Sequence, residues 1–338
     1  MTRSCRRCDE LYLSADETSR AQRTVFFEPW NLGDVIIAAA ALRESKKPVS
    51  LACHSMWHPL LRCALNKIPN LDLIAVDLPY TTRQRGNPFD TGNPNERFED
   101  VREVRSIRGD LRDFAAARKI FPHARIRMKG WLRFFGRKSA IVNFPYAMGL
   151  YRVQNRYRSW AKLAGVDYEE IRATYRRLQA QSPNNGRVLI HVGAQWGSKQ
   201  FPNVAELRDA LAERSFAVTI LAAPNDPLPL KIDEHDTFRI ADDPLIQELR
   251  SAEHVITNDS GPMHLAAFLG CRTTAIVRTS PIEEWAPPAT TIIHSSVTPR
   301  GYRPSQSYMS DEILAGWPTV SEIVPAILHA PSPDGPMI

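Results

Sequence analysis

The sequence predicts an α/β protein of two doubly wound, Rossmann-like domains. Short apolar runs alternate with helix-length segments, and the same rhythm restarts after residue 182. At 338 residues the chain is also too long for one ordinary domain of roughly 100 to 200 residues.

The elements follow in order. The run TVFFE at Thr24–Glu28 has the continuous apolar character of a strand buried on both faces, PWNLG reads as a turn, and DVIIAAAALRES as an alanine-rich helix. PVSLACH gives a second strand, HPLLRCALNKI a helix and LDLIAVDL a third strand. Strands separated by helix-length crossovers imply a parallel sheet, because parallel neighbours cannot be joined by a tight turn. Pro79–Asn95 reads as a loop, the segment after it as helical, and AIVNFPYAMG as a further strand and turn. Arg156–Gln181 is expected to be a mainly helical, Arg-rich connector.

SPNNG at Ser182–Gly186 is the clearest break, and the second half repeats the pattern. RVLIHVGA, FAVTILAA, HVITN and TTAIVR read as strands, with helices at NVAELRDALAER, DPLIQELRSA and GPMHLAAFLG. The expected organisation is an N-terminal tail over 1–23, a first domain over 24–182, a second over 183–309 and a C-terminal helical tail over 310–338. In that tail Pro318 and Pro325 limit a terminal helix expected to pack across both domains.

Composition narrows the class. Hydrophobic content of 43% and charged content of 24% are those of a globular protein. No run of about 18 uncharged apolar residues occurs and residues 1–23 are polar, so the expected location is cytoplasmic, with peripheral contact at an inner membrane surface as an option. The five cysteines (Cys5, Cys8, Cys53, Cys63, Cys271) are odd in number and scattered, which fits reduced thiols. The CxxC of Cys5 and Cys8 lacks a second ligand pair, and no metal site is expected. Charge is unevenly placed: Arg97–Lys138 holds 13 Lys/Arg against 5 Asp/Glu within a chain of net +6. Such a region suits a phosphorylated or acidic acceptor, an anionic membrane surface or nucleic acid, and equally a set of solvated helix faces.

In open α/β sheets, ligands bind beyond the carboxyl ends of the strands. Three loops are therefore candidates. NDSGPMH joins a strand to a helix: Gly261 permits close backbone approach, the helix N-terminus favours a diphosphate, and Ser260 could donate to a phosphate oxygen. Asp259 and Ser260 are also ordinary helix caps, and His264 could be a packing histidine. HVGAQWGSKQFP offers two glycines, Trp196 and Lys199; the lysine could neutralise charge on a departing diphosphate, or simply be solvated. NLGD places Asp34 at a helix start, where it either balances the helix dipole or acts as general base toward an attacking hydroxyl. No GxxxxGK[ST], GxGxxG after either opening strand, HExxH or GxSxG occurs, which weighs against P-loop kinases, ordinary dehydrogenases, zinc proteases and serine hydrolases.

Together, NLGDVIIAAAAL at Asn31–Leu42, HVGAQWGSKQFP at His191–Pro202 and NDSGPMHLAAFLG at Asn258–Gly270, with WAPP at Trp285–Pro288, resemble glycosyltransferase family 9, the bacterial heptosyltransferases of the lipopolysaccharide inner core. The resemblance implies a GT-B fold, with an acceptor domain facing a nucleotide-sugar domain across a cleft. It implies an inverting transfer with neither metal nor cofactor, the nucleotide-diphosphate sugar being substrate. By resemblance Asp34 and Lys199 are the catalytic pair, Asp34 as general base. Gly193, Trp196, Lys199, Asp259, Ser260, Gly261, Pro262 and His264 would form the donor site. The expected donor is ADP-heptose, and the expected acceptor a lipopolysaccharide-core or related anionic glycan or glycolipid. Two rival readings remain open: transfer to nucleic acid bearing a modified base, and a non-catalytic GT-B protein that only binds a nucleotide sugar. The chain departs from the family pattern at Ala38–Ala41, where a proline is frequent, and at Arg278, where a Gly-Thr pair is common.

Overall fold

The computed structural model describes residues 23–78, 98–107, 111–128, 155–194, 197–223, 232, 237–239, 242–278, 282–294 and 316–328. The CxxC tail, the loop at 79–95, the strand expected at 140–149 and Trp196 lie outside the described residues.

Two parallel sheets carry the fold. The first is ordered β3–β2–β1–β4–β5, from β1 (Arg23–Phe27), β2 (Val49–His54), β3 (Leu71–Val76), β4 (Val101–Ser106) and β5 (Arg125–Met128). The second is ordered β11–β10–β9–β6–β7–β8, from β6 (Arg187–His191), β7 (Ala217–Ala222), β8 (Thr237–Arg239), β9 (His254–Asn258), β10 (Arg272–Val277) and β11 (Thr291–His294). The strand order reverses between β1 and β4 in one sheet and between β6 and β9 in the other. These are the two places where a doubly wound sheet opens a crevice at its carboxyl edge.

The helices are α1 (Leu32–Arg43), α2 (His58–Leu65), α3 (Leu111–Ile120), α4 (Arg156–Ala164), α5 (Tyr168–Gln179), α6 (Val204–Ala212), α7 (Asp242–Ser251), α8 (Gly261–Leu269), α9 (Ile282–Trp285) and α10 (Val320–Leu328). Helix α1 is apolar on every side, and Val35–Leu42 are fully buried. An all-apolar helix must be covered all round. Here α1 lies against β2 of its own sheet, the connector helices α4 and α5, and α8 of the second half. The run Ala38–Ala41 lets its neighbours approach closely. Helix α2 meets α7 across the same junction. One continuous apolar core therefore runs from Phe26, Ile36 and Leu61 through Trp160 and Tyr175 to Leu249, Leu265 and Phe268. Arg43 closes the far end, its guanidinium over the rings of Phe268 (4.5 Å) and Tyr175 (5.2 Å) and bonded to the Phe268 carbonyl. Gly270 ends α8 at φ +90°, with a Cβ there only 2.7 Å from Leu178 Cβ, so glycine is required.

Two expectations are corrected. The basic segment read as helical contains β4 and β5 on either side of α3. In VREVRS, Val101, Val104 and Ser106 are buried, and Glu103 bonds Arg105 and, at 2.5 Å, Arg127 of β5. Ion pairing along a strand face hides the apolar run on which strand reading depends. The C-terminal helix α10 packs on α6 and β11 of the second half, with Pro325 inside it; Val320, Ile323, Val324 and Ile327 join that half's core. The expectation that it lies across both domains is not met by the described helix.

Cys53 and Cys271 are buried free thiols, and burial pushes both up to about 12. Among the described residues no helix is long and apolar enough to cross a membrane.

Candidate active site

The chain leaves the central strand β1 at Phe27 and enters α1 at Leu32, and this short turn is anchored by two indoles. The Trp30 indole N–H donates to the buried Asp113 carboxylate on α3, and the Trp30 carbonyl accepts from Trp57 Nε1 at 2.7 Å. Asp34 stands in the first turn of α1, half-buried. Asn31, at the N-cap, makes no side-chain cap bond; its Nδ2 donates instead to Asp34 Oδ2 at 3.1 Å. A held carboxylate thus sits at the positive end of a buried helix.

In the second sheet β6 and β9 are neighbours, with His191 opposite Thr257. Asn258, nearly fully buried at the end of β9, ties the next loop to it. Its Nδ2 donates to the carbonyls of Val192 (2.9 Å) and Gly193 (3.5 Å), and its Oδ1 accepts from the Phe201 amide (3.0 Å). Both ends of the Gly193–Phe201 loop are so fixed. That brings Lys199 Nζ to 2.5 Å from Asp259 Oδ2, with both side chains largely buried. Ser260 occupies the N-cap of α8 but does not cap: its hydroxyl donates to the Asn258 carbonyl. Pro262 in the first turn presets φ for the helix.

His264, one turn into α8, is fully buried, and its Nδ1 lies 2.8 Å from the Tyr157 hydroxyl. Burial pulls its pKa down to about 4, partly offset by the negative charges of Asp259 and Asp34. Lys199 also acts on it, in the lowering sense. The imidazole therefore feels all three loops. Contact is direct on one side: a Cβ on Gly33 would stand 2.9 Å from His264 Cδ2, and one on Gly261 would be 3.2 Å from Leu32 Cβ. The two glycines let the N-terminal turns of α1 and α8 touch.

The structure thus gathers Asp34, Lys199, Asp259, Ser260, Gly261, Pro262 and His264, with buried Gly193 beneath them, and leaves Trp196 outside the described residues. It also adds residues that the sequence reading passed over. Asn258 lies inside the quoted motif, yet an asparagine at a strand end reads as turn chemistry. Tyr157 sits in an Arg- and Tyr-rich helix with no local mark of a site. Near it Arg156 pairs with Glu284 beneath the Trp285 ring, and Asn155 donates to the Ala286 carbonyl, so the connector helix docks on the WAPP segment. Among the described residues no group of three or more His, Cys, Asp or Glu side chains is arranged to hold a metal ion.

Chemically, the cluster offers a carboxylate on one lobe and, on the other, a cation, a helix N-terminus and a buried imidazole. Such an arrangement can remove a proton on one side and stabilise an anionic oxygen on the other.

Comparison with known proteins gives a family model and a set of similar solved structures. Residues 161–313 match the family model described as glycosyltransferase family 9 (heptosyltransferase), a span that includes the Lys199 loop and the start of α8. No curated protein matches the chain. Among solved structures, the chain is similar to a glycosyl transferase family 9 protein from Veillonella parvula DSM 2008. Identity there is 15% over 94% of this chain and 99% of that one, with a TM-score of 0.59. It is similar to E. coli heptosyltransferase WaaC with ADP, at 13% identity over 91% and 100% and a TM-score of 0.56. It is also similar to E. coli ADP-heptose lps heptosyltransferase II, at 15% over 91% and 99% and a TM-score of 0.53. At these identities the structural likeness speaks to the fold, and the family model to the second half. Residues 161–313 thus form a glycosyltransferase family 9 domain, within a chain built on a GT-B fold.

Proposed function

We propose that the protein transfers a sugar, heptose from ADP-heptose being the leading donor, to a hydroxyl of a lipopolysaccharide-core or related anionic glycan, with inversion and without a metal ion. One observation carries the reading: Asp34 on the first half and the Lys199–Asp259 pair on the second converge where the N-termini of α1 and α8 meet around His264.

Asp34 accepts the proton of the acceptor hydroxyl, held ready by the Asn31 amide. The freed oxygen attacks the anomeric carbon from the face opposite the diphosphate, and the bond from that carbon to the diphosphate oxygen breaks. Direct displacement from the opposite face inverts the centre. Charge then grows on the departing diphosphate, where Lys199 and the positive end of α8 stabilise it without reorganisation. Asp259 orients Lys199 until the donor's phosphate oxygens compete for the ammonium. The basic segment of the first half, with Arg102 and Arg125 exposed, would meet the acidic sugars or phosphates of the acceptor at the inner membrane surface.

The test is turnover by purified protein with ADP-heptose and other nucleotide sugars, with delipidated core glycan or single-stranded DNA as acceptor, in the presence and absence of EDTA. The product anomer is read by NMR. Glycan-dependent ADP release with inversion, unaffected by EDTA, is expected. Transfer to DNA alone would move the acceptor to nucleic acid, and nucleotide binding without turnover on either would remove the catalytic reading.

A further inference from the structure

The connector helix α4 supplies a group to the cluster. Tyr157 is completely buried, and its hydroxyl lies 2.8 Å from His264 Nδ1. The Tyr157 ring meets Tyr175 edge-on at 5.9 Å and lies tilted beside the imidazole, also at 5.9 Å, while the Tyr175 hydroxyl and the Arg43 charge are further polar influences on the phenol.

Two arrangements of that bond are conceivable, and the surroundings separate them. Either Tyr157 donates to a bare Nδ1, leaving the proton on Nε2, or Nδ1–H donates to the phenol oxygen and Nε2 carries only a lone pair. The Cδ2–Nε2 edge of the ring faces Gly33, the residue directly before Asp34. Asp34 and Asp259 act on this imidazole as negative charges and Lys199 as a positive one, each carboxylate outweighing the lysine. A lone pair turned toward that side would be repelled, whereas an N–H dipole is attracted. The ring itself is neutral, since burial holds it well below its ordinary pKa.

We infer that Tyr157 is a positioning residue: its hydroxyl donates to His264 Nδ1 and fixes the Nε2–H tautomer, so that Nε2–H is presented to an oxygen of the donor diphosphate. This rests on the donor-site reading of the preceding subsection. It also gives the connector between the two halves a part in donor binding, because α4 is independently held to the second half through Arg156, Glu284 and Trp285.

The test uses full-length protein labelled with [15N]histidine, in which long-range proton–nitrogen spectra report the protonated ring nitrogen, together with calorimetric titration of ADP and ADP-heptose. The expected spectrum shows a pyridine-like Nδ1 and a pyrrole-like Nε2 for His264. Tyr157→Phe should redistribute the proton between the two nitrogens and weaken ADP-heptose binding about tenfold, the size of one hydrogen bond. His264→Gln provides the rescue, since the glutamine amide N–H stands where Nε2–H stands and needs no phenol to orient it as a donor. Adding Tyr157→Phe to His264→Gln should therefore change affinity less than about twofold, a non-additivity that a merely structural tyrosine would not give. If the wild-type protein binds neither nucleotide, the donor-site reading falls and takes the proposed ligand with it. If it binds them with Nδ1 protonated, or if Tyr157→Phe leaves tautomer and affinity unchanged, the donor site stands and this inference falls. Should Tyr157→Phe not fold, the wild-type spectrum alone decides the tautomer.

Discussion

Gly33 and His264 belong to opposite halves of the molecule, yet a single methyl group on Gly33 would lie 2.9 Å from His264 Cδ2. The turn that carries Asp34 and the helix proposed to carry the donor-side residues are thus in contact. Gly33→Ala must push a fully buried ring or shift α1, at a cost of about 1–3 kcal/mol. The expected outcome is a lowered melting temperature with retained secondary structure and a fall in transfer rate larger than the loss of stability explains. Circular dichroism and turnover on the same preparation check it; wild-type turnover would show that the contact does not govern the site.

In the proposed mechanism Lys199 meets the leaving group; its ammonium lies 2.5 Å from Asp259 Oδ2. Lys199→Met keeps the stem and removes the charge, so turnover should fall about 10²–10³-fold, the size seen when one preorganised donor to developing charge is deleted. Asp259→Asn should lower turnover less, because the lysine stays but loses its guide. Steady-state kinetics on both variants read the difference, and an Asp259→Asn loss exceeding that of Lys199→Met would reverse the assigned roles.

Acid should destabilise the fold through two buried histidines. Burial lowers the pKa of both His254 and His264 to about 4, against 6.5 in the unfolded chain. Above about pH 6.5 each is neutral in both states and contributes no pH dependence. As pH falls from 6.5 toward 4 the unfolded chain takes up protons that the folded chain refuses, so stability declines, by at most about 1.4 kcal/mol per pH unit for each histidine. His254, away from the site and bonded to Thr274 Oγ1 at 2.8 Å, offers the cleaner check. Urea unfolding at pH 7, 6 and 5 should show a shallower slope for His254→Gln than for wild type; identical slopes would mean that His254 does not titrate on unfolding.

Much of this architecture was legible in the sequence because the elements that build it are locally consistent. β1, β2, β6, β9 and β10 each carry an apolar stretch, and α1 and α8 follow β1 and β9 with glycine in the first turn. Strands β4 and β5 were not legible, since their charges are satisfied by one another across strands through Glu103, Arg105 and Arg127. The loops around Asp34, Lys199 and Asp259 could be singled out by residue type and position at strand ends. What holds them could not, because Trp30–Asp113, Asn258–Phe201 and Tyr157–His264 join residues separated by 83, 57 and 107 positions. Burial likewise decided between roles that local sequence left open: Ser260, an ordinary cap by its position, bonds the Asn258 carbonyl instead.

Asp34 tests the account most directly. Asp34→Asn preserves size and the contact with Asn31 while removing the base. With saturating ADP-heptose and core-glycan acceptor, the account predicts turnover reduced about 10²–10⁴-fold with ADP-heptose affinity within about twofold of wild type. Undiminished turnover in Asp34→Asn would contradict it, because no proton acceptor would then be needed at the junction of α1 and α8.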